Sequence, residues 1–123
     1  NYAYVVNNNG KFTVVDISNP MAPVFIGSPI STGAGSSKAI DVEGNYAYIA
    51  NTYGENTISV IDISNPRAPV LVGEPIPTGG SGATSIFIQD GYAYVANHDD
   101  GTLSVIDIGG NIFNHNNGTV IFN

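Results

Sequence analysis

The chain has 123 residues, 42% of them hydrophobic and 11% charged, and a formal net charge of −7. That length suits one ordinary domain. With Lys11, Lys38 and Arg67 as the only basic residues, a phosphate-neutralising nucleic-acid surface is excluded and binding to anionic membranes is disfavoured. Cysteine is absent, which removes disulfides, thiolate chemistry and cysteine-built zinc sites, and no apolar run is long enough to cross a bilayer as a helix.

In chain order, Tyr2–Val6, Phe12–Ile17 and Val24–Ile26 read as three short strands. Four more follow: Lys38–Glu43, Tyr46–Ala50, Thr57–Ile63 and Val70–Val72, designated a, b, c and d. The third group is Ser85–Gln89, Tyr92–Ala96 and Thr102–Ile108, matching a, b and c. Each group is rich in β-branched and aromatic residues. The connections carry Gly44-Asn45, Gly54 and Ser64-Asn-Pro-Arg-Ala-Pro69, and the prolines break any ladder. Glycine and proline interrupt every window long enough for a helix, and the apolar period is two or less. Strands c and d are apolar on both faces, as in Val60-Ile61 and Leu71-Val72. Such strands are covered on both sides.

The groups are copies of one text. Tyr-Ala-Tyr begins at Tyr2, Tyr46 and Tyr92, at intervals of 44 and 46 residues. Val-(Val/Ile)-Asp-Ile begins at Val14, Val60 and Val105. Asn-Pro-x-Ala-Pro-Val begins at Asn19 and Asn65, and Gly-x-Pro-Ile-x-Thr-Gly at Gly27 and Gly73. A fixed period of this size marks stacked supersecondary units. A four-stranded sheet buried on both faces within one such period is a propeller blade between two others.

Gly44-Asn-Tyr-Ala-Tyr-Ile-Ala-Asn51 with Val60-Ile-Asp-Ile-Ser-Asn-Pro-Arg-Ala-Pro69 resembles the LVIVD repeat. Ala93-Tyr-Val-Ala-Asn97 with Leu103-Ser-Val-Ile-Asp107 resembles the related YVTN β-propeller repeat. The resemblance covers about residues 1–110. It implies an all-β protein of about three four-stranded antiparallel blades, of bacterial or archaeal origin, secreted or displayed on the cell surface. It implies no shared catalytic residues. One repeat domain is expected over 1–123, with blade 1 about 1–33, blade 2 about 36–79, and blade 3 with its tail about 83–123.

The first blade lacks strand a, because Asn1-Tyr2 already stands at the start of b. The third blade departs from the repeat after Ile108. There Asn114-His-Asn-Asn-Gly-Thr119 parallels the turn Asn97-His-Asp-Asp-Gly-Thr102, so the tail reads as two strands, Asn111–Asn114 and Thr119–Phe122, around an Asn-Asn-Gly turn. Ile112-Phe113 would supply strand d, leaving Thr119–Phe122 over, a C-terminal strand able to complete the first blade. Three blades do not close a ring comfortably. The leading expectation is therefore a non-enzymatic extracellular structural protein that assembles with copies of itself. Thr119, Val120, Ile121 and Phe122 of one copy would pair with the strand holding Tyr2, Tyr4 and Val6 of the next. A closed oligomer or a filament would result. The alternative expectation is a piece of a larger surface propeller that binds protein or carbohydrate. The start at Asn1, inside a blade and without methionine, reads as a processed or excised chain.

Candidate chemistry is sparse. The b–c loops offer Glu55, Asp99 and Asp100 as weak calcium candidates, short of the six to eight oxygens calcium takes; as turn residues they would cap their own backbone. No metal or cofactor is otherwise indicated. His98 and His115 are the only histidines, no Gly-x-Ser-x-Gly occurs to place a serine for them to activate, and an enzyme is not expected. Asp16, Asp62 and Asp107 recur at one repeat position, where each can accept N–H bonds of the turn that follows. The tyrosine pairs Tyr2/Tyr4, Tyr46/Tyr48 and Tyr92/Tyr94 read as packing between blades. Asn117-Gly118-Thr119 matches a glycosylation acceptor.

Overall fold

A computed structural model of the chain describes residues 1–109 and 119–122. The described secondary structure is all strand: β1 Tyr2–Val6, β2 Lys11–Asp16, β3 Val24–Ser31, β4 Ser37–Glu43, β5 Tyr46–Asn51, β6 Thr57–Asp62, β7 Val70–Leu71, β8 Ile76–Pro77, β9 Ala83–Gln89, β10 Tyr92–Asn97, β11 Thr102–Asp107 and β12 Thr119–Phe122. They form three antiparallel sheets, ordered β1-β2-β3, β4-β5-β6-β7 with β8 also on β6, and β9-β10-β11-β12. These are blades 1, 2 and 3.

The strands arise where the sequence places β-branched and aromatic runs, and the register follows the repeat. Tyr4 lies opposite Val14, Tyr48 opposite Val60, and Tyr94 opposite Val105. The turns between strands b and c share one backbone device. Gly10, Asn56 and Gly101, at one repeat position, have φ of 64°, 47° and 68°, the left-handed region that Gly and Asn enter most readily. Gly10 has a second reason to lack a side chain, since a Cβ there would collide with the carbonyl of Ala34.

The fourth strand is the least regular part of the repeat. In blade 1 it is longer than expected: β3 runs through Pro29 to Ser31, with a register shift between Phe12 and Val14. Pro29 is tolerated because β3 is an edge strand and owes its sheet no further N–H. In blade 2 the same segment breaks into β7 and β8, both paired to β6.

Blade 3 corrects the reading of the tail. Thr119–Phe122 is not a strand left over; it pairs with β11, Val120 opposite Val105 and Ile121 opposite Ser104, and so takes the fourth place of that blade. The physical reason is an open edge on β11 within reach of a strand of the same chain. The expected strand Asn111–Asn114, with Ile112-Phe113, His115 and Asn117, lies outside the described residues. Blade 1 has the expected three strands, and β1 pairs with β2 alone.

Alternation in the strands gives each blade two apolar faces, and the core is the two layers between blades. Phe12, Val14 and Ile26 of blade 1 meet Ala47, Ile49, Ile61 and Ile63 of blade 2. Tyr48, Ala50, Ile58 and Val60 of blade 2 meet Ala93, Val95, Ile106 and Ile108 of blade 3. Of the tyrosine pairs, Tyr48 is buried between blades and the Tyr4 ring stacks on Phe12 at 6.0 Å, while Tyr2 and Tyr92 are exposed. One ionic hydrogen bond joins blades 2 and 3, from the Ile88 N–H to Asp41 Oδ2 at 2.7 Å.

Candidate functional site

In blades 2 and 3 strand b ends in asparagine, whose carboxamide ties strand b to strand c; in blade 1 the matching Asn7 falls just past β1. Asn51 Nδ2 donates to Thr57 Oγ1 at 3.1 Å and to Ser59 Oγ at 2.7 Å. Asn97 Nδ2 does the same with Thr102 Oγ1 at 3.1 Å and Ser104 Oγ at 2.8 Å. Around Asn51 the network continues into blade 1. Ser37 Oγ donates to Asn51 Oδ1 at 2.9 Å, and Ser59 Oγ donates to the carbonyl of Thr32. Around Asn97 it stops. Ala83 pairs with Asn97 where Ser37 pairs with Asn51, and Asn97 Oδ1 is buried without a partner among the described residues.

The recurrent aspartates cap the turns as expected. Asp16 Oδ1 accepts the Ser18 N–H at 2.8 Å, Asp62 Oδ1 the Ser64 N–H at 2.9 Å, and Asp107 Oδ1 the Gly109 N–H at 3.1 Å. The hydroxyl of Ser18, then its N–H, holds the Asp16 carboxyl below the usual carboxylate value, and Ser64 does the same for Asp62. Burial raises the Tyr48 phenol, with Glu43 and Tyr46 adding to it.

The calcium candidates have structural work of their own. Glu55 Oε2 accepts the Gly35 N–H at 2.8 Å, and Asp100 Oδ2 accepts the Ser81 N–H at 2.9 Å. The two stand at one repeat position, and each pins the crossover that enters its blade. Asp99 meets His98 Nδ1 at 3.2 Å on the surface. Among the described residues, no three of His, Asp and Glu gather as a metal site would need. The pairing of these carboxylates with crossover amides was missed in the sequence, although the near-equal spacings of Gly35 to Glu55 and Ser81 to Asp100, 20 and 19 residues, carry it.

The ends of the stack stand apart from its middle. Ile49 and Val95 are fully buried, but Val5 at the same repeat position is 47% exposed. Phe12 and Ile58 are fully buried, but Leu103 at their position is 38% exposed. Blade 1 thus leaves one apolar face open, and blade 3 leaves the other. The open face of blade 1 carries a half-open groove of about 510 Å³ lined by Val5, Asn7, Thr13, Phe25, Gly27 and Pro29. Its counterpart in blade 2 is filled: Leu71 and Pro75 lie where a Cβ on Gly33 would touch them. Of the expected assembly residues, Tyr2, Tyr4 and Val6 lie on the covered side of β1, with Tyr4 and Val6 packed against the core between blades 1 and 2.

Antiparallel sheets stacked face to face, repeating one text with one register, define a β-propeller array. The LVIVD repeat model matches residues 1–29, 34–74 and 80–111, and the chain belongs to the LVIVD repeat family. No curated protein matches the sequence. Among solved structures, a protein of Bacteroides uniformis provisionally assigned as a 6-phosphogluconolactonase is similar with a TM-score of 0.79 at 19% identity, over 99% of this chain and 38% of that one. A second provisional 6-phosphogluconolactonase, from Bacteroides fragilis, gives 0.75 at 18% identity over 88% of this chain and 33% of the other. A protein of unknown function from Desulfotomaculum acetoxidans gives 0.70 at 20% identity over 97% and 40%. This chain therefore spans a third to two fifths of the length of those structures, and the likeness is one of fold.

Proposed function

We propose that this chain is a non-enzymatic assembly module, a three-blade arc of an extracellular or cell-surface β-propeller that works by joining further blades at its open ends. One observation carries the reading. Equivalent residues are buried inside the stack and exposed at its two ends, as with Ile49 and Val5 or Ile58 and Leu103. Apolar sheet faces left in water mark interaction surfaces, and β1, paired only to β2, adds an open strand edge. Lending Thr119–Phe122 to another copy would first require stripping it from β11, so the join is assigned to the faces and not to strand exchange. Support for a non-enzymatic role comes from Glu55 and Asp100, both engaged as loop caps, and from His98, which is exposed beside Asp99.

Hydrogen exchange on the dilute chain tests the architecture. Amides of β1 should exchange well before those of β5, which is paired on both sides; equal protection of the two would overturn the open-arc reading. The provisional names of the similar structures supply the competing activity. Turnover of 6-phosphogluconolactone by this chain, lost in His98→Ala, would overturn the non-enzymatic reading.

A further inference from the structure

We propose that the Asn9-Gly10 step is a self-modification site gated by the crossover between blades 1 and 2. The closed crossover holds the step unreactive, and a chain whose crossover opens converts Asn9 to aspartate or isoaspartate. The proposal is independent of what covers the ends of the stack.

Asparagine is thermolabile, and most so before glycine, which has no side chain beside the attacking nitrogen. The Gly10 main-chain nitrogen loses its proton to solvent base and adds to Asn9 Cγ. Ammonia leaves with a proton from solvent, closing a cyclic imide. Water then opens the imide. Breaking the bond between the nitrogen and Cγ gives aspartate; breaking the bond between the nitrogen and the Asn9 main-chain carbonyl carbon gives isoaspartate, with the chain running through Cβ. The sum is amide plus water to acid plus ammonia, with nothing oxidised or reduced.

The fold requires this step and then restrains it. Glycine is needed at position 10 for a φ of 64° and because a Cβ would meet the Ala34 carbonyl. Ring closure needs the Gly10 nitrogen free and the Asn9–Gly10 peptide swung toward the Asn9 side chain. The contacts around the buried Gly10 oppose both. Its N–H donates to the Asn7 carbonyl at 3.1 Å, which also accepts the Ser37 N–H at 3.2 Å. Its own carbonyl accepts the Thr32 N–H at 2.9 Å and the Thr32 hydroxyl at 3.2 Å. Asn7 Oδ1 holds the Asn9 and Lys11 N–H groups at 3.0 and 3.1 Å. Thr32 and Ala34 lie between β3 and β4 and Ser37 opens β4, so the swing waits on release of the crossover. Blades 2 and 3 carry Glu55-Asn56 and Asp100-Gly101 at this repeat position, and Asn9-Gly10 is the one Asn-Gly step among the described residues. Isoaspartate inserts an extra main-chain carbon before Gly10, which then cannot meet Asn7 and Thr32 together. A crossover that has opened and reacted is left less able to close.

Peptide mapping tests this. Trypsin cuts after Lys11, Lys38 and Arg67, so the peptide Asn1–Lys11 carries this Asn-Gly step and no other. The chain is incubated in mildly alkaline buffer, folded and in urea, and mass spectrometry with fragmentation that separates isoaspartate from aspartate reads the rate. Conversion at Asn9 should be at least about tenfold slower in the folded chain, because reaction waits on the opened form. Thr32→Ala removes one hydrogen bond to the Gly10 carbonyl and should speed conversion in the folded chain about threefold or more, with no change in urea. Ala34→Gly replaces it if circular dichroism shows that Thr32→Ala does not fold; Gly80 holds that repeat position in blade 3. The purified isoaspartate chain should unfold at lower urea than the unmodified one. Equal rates in the folded chain and in urea, no conversion in urea, or a folded variant with an unchanged rate would overturn the gating. An unchanged urea midpoint would overturn the one-way effect.

Discussion

Ala83→Ser should stabilise the fold, and the repeat itself supplies the control. Ser37 and Ala83 both begin an a strand and both pair with the asparagine that ends strand b. The hydroxyl of Ser37 satisfies Asn51 Oδ1 at 2.9 Å, whereas Asn97 Oδ1 is buried with no partner among the described residues. An unpaired buried acceptor costs about 1–3 kcal/mol. Fixing one serine rotamer and burying its hydroxyl take back part of the gain, leaving about 1–2 kcal/mol of net stabilisation. For a chain of this size that is roughly 3–8 °C in Tm. Urea denaturation should move the midpoint upward with an unchanged slope. The gain should vanish in an Asn97→Ala background, because no acceptor remains, and the reverse change Ser37→Ala should cost about 1–3 kcal/mol. A neutral or destabilising Ala83→Ser at constant slope, or an equal gain in the Asn97→Ala background, would refute the reasoning.

Three further outcomes are expected. Asp41→Ala removes the acceptor for the Ile88 N–H between blades 2 and 3 and should cost about 1.5–3 kcal/mol in chemical denaturation. Gly10→Ala should cost about 3 kcal/mol or more, from both a strained φ and a collision with the Ala34 carbonyl, while Gly101→Ala, with open space around it, should cost only about 1–2 kcal/mol of strain. Asp62 has a lowered pKa in the folded state because Ser64 bonds its ionised form. Its stabilisation is therefore present above the unfolded value of 3.8 and lost as pH falls through the folded value. Asp62→Asn should accordingly flatten the decline in urea midpoint below about pH 4, and an unchanged acid slope would count against that capping role.

Where one residue type decides the outcome locally, the sequence was legible. Tyr-Ala-Tyr and Val-Ile-Asp-Ile recur between glycine turns and read as strands, and the aspartate before Ser-Asn-Pro has a turn N–H within reach. The fourth strand was not legible, because its course depends on proline and glycine positions whose effects change with the edge they meet. Pro29 continues β3, while the matching Pro75 falls in the gap between β7 and β8. The tail was misread for a related reason. Ile112-Phe113 and Thr119–Phe122 are equally good strand text, and it is Thr119–Phe122 that pairs with β11. The loop carboxylates were open to two readings because acidic residues near glycine suit calcium and amide capping equally well. In the structure Glu55 and Asp100 cap the amides of Gly35 and Ser81.

The same repeat text acquires different burial in different blades, and this connects the fold to its proposed use. Strand c of blade 2 is closed on both faces: Ile58, Ser59, Val60 and Ile61 are all buried. Strand c of blade 1 buries only Phe12 and Val14, and that of blade 3 buries only Ser104 and Ile106. These are opposite faces of the blade, so the two ends are unlike, and together they make up what the middle blade has on its two sides. Val5 and Phe25 stand on the open face of blade 1, and Phe87 and Leu103 on that of blade 3. All four remain large and apolar. Burial against another blade would give them the same favourable transfer that holds the interior layers together.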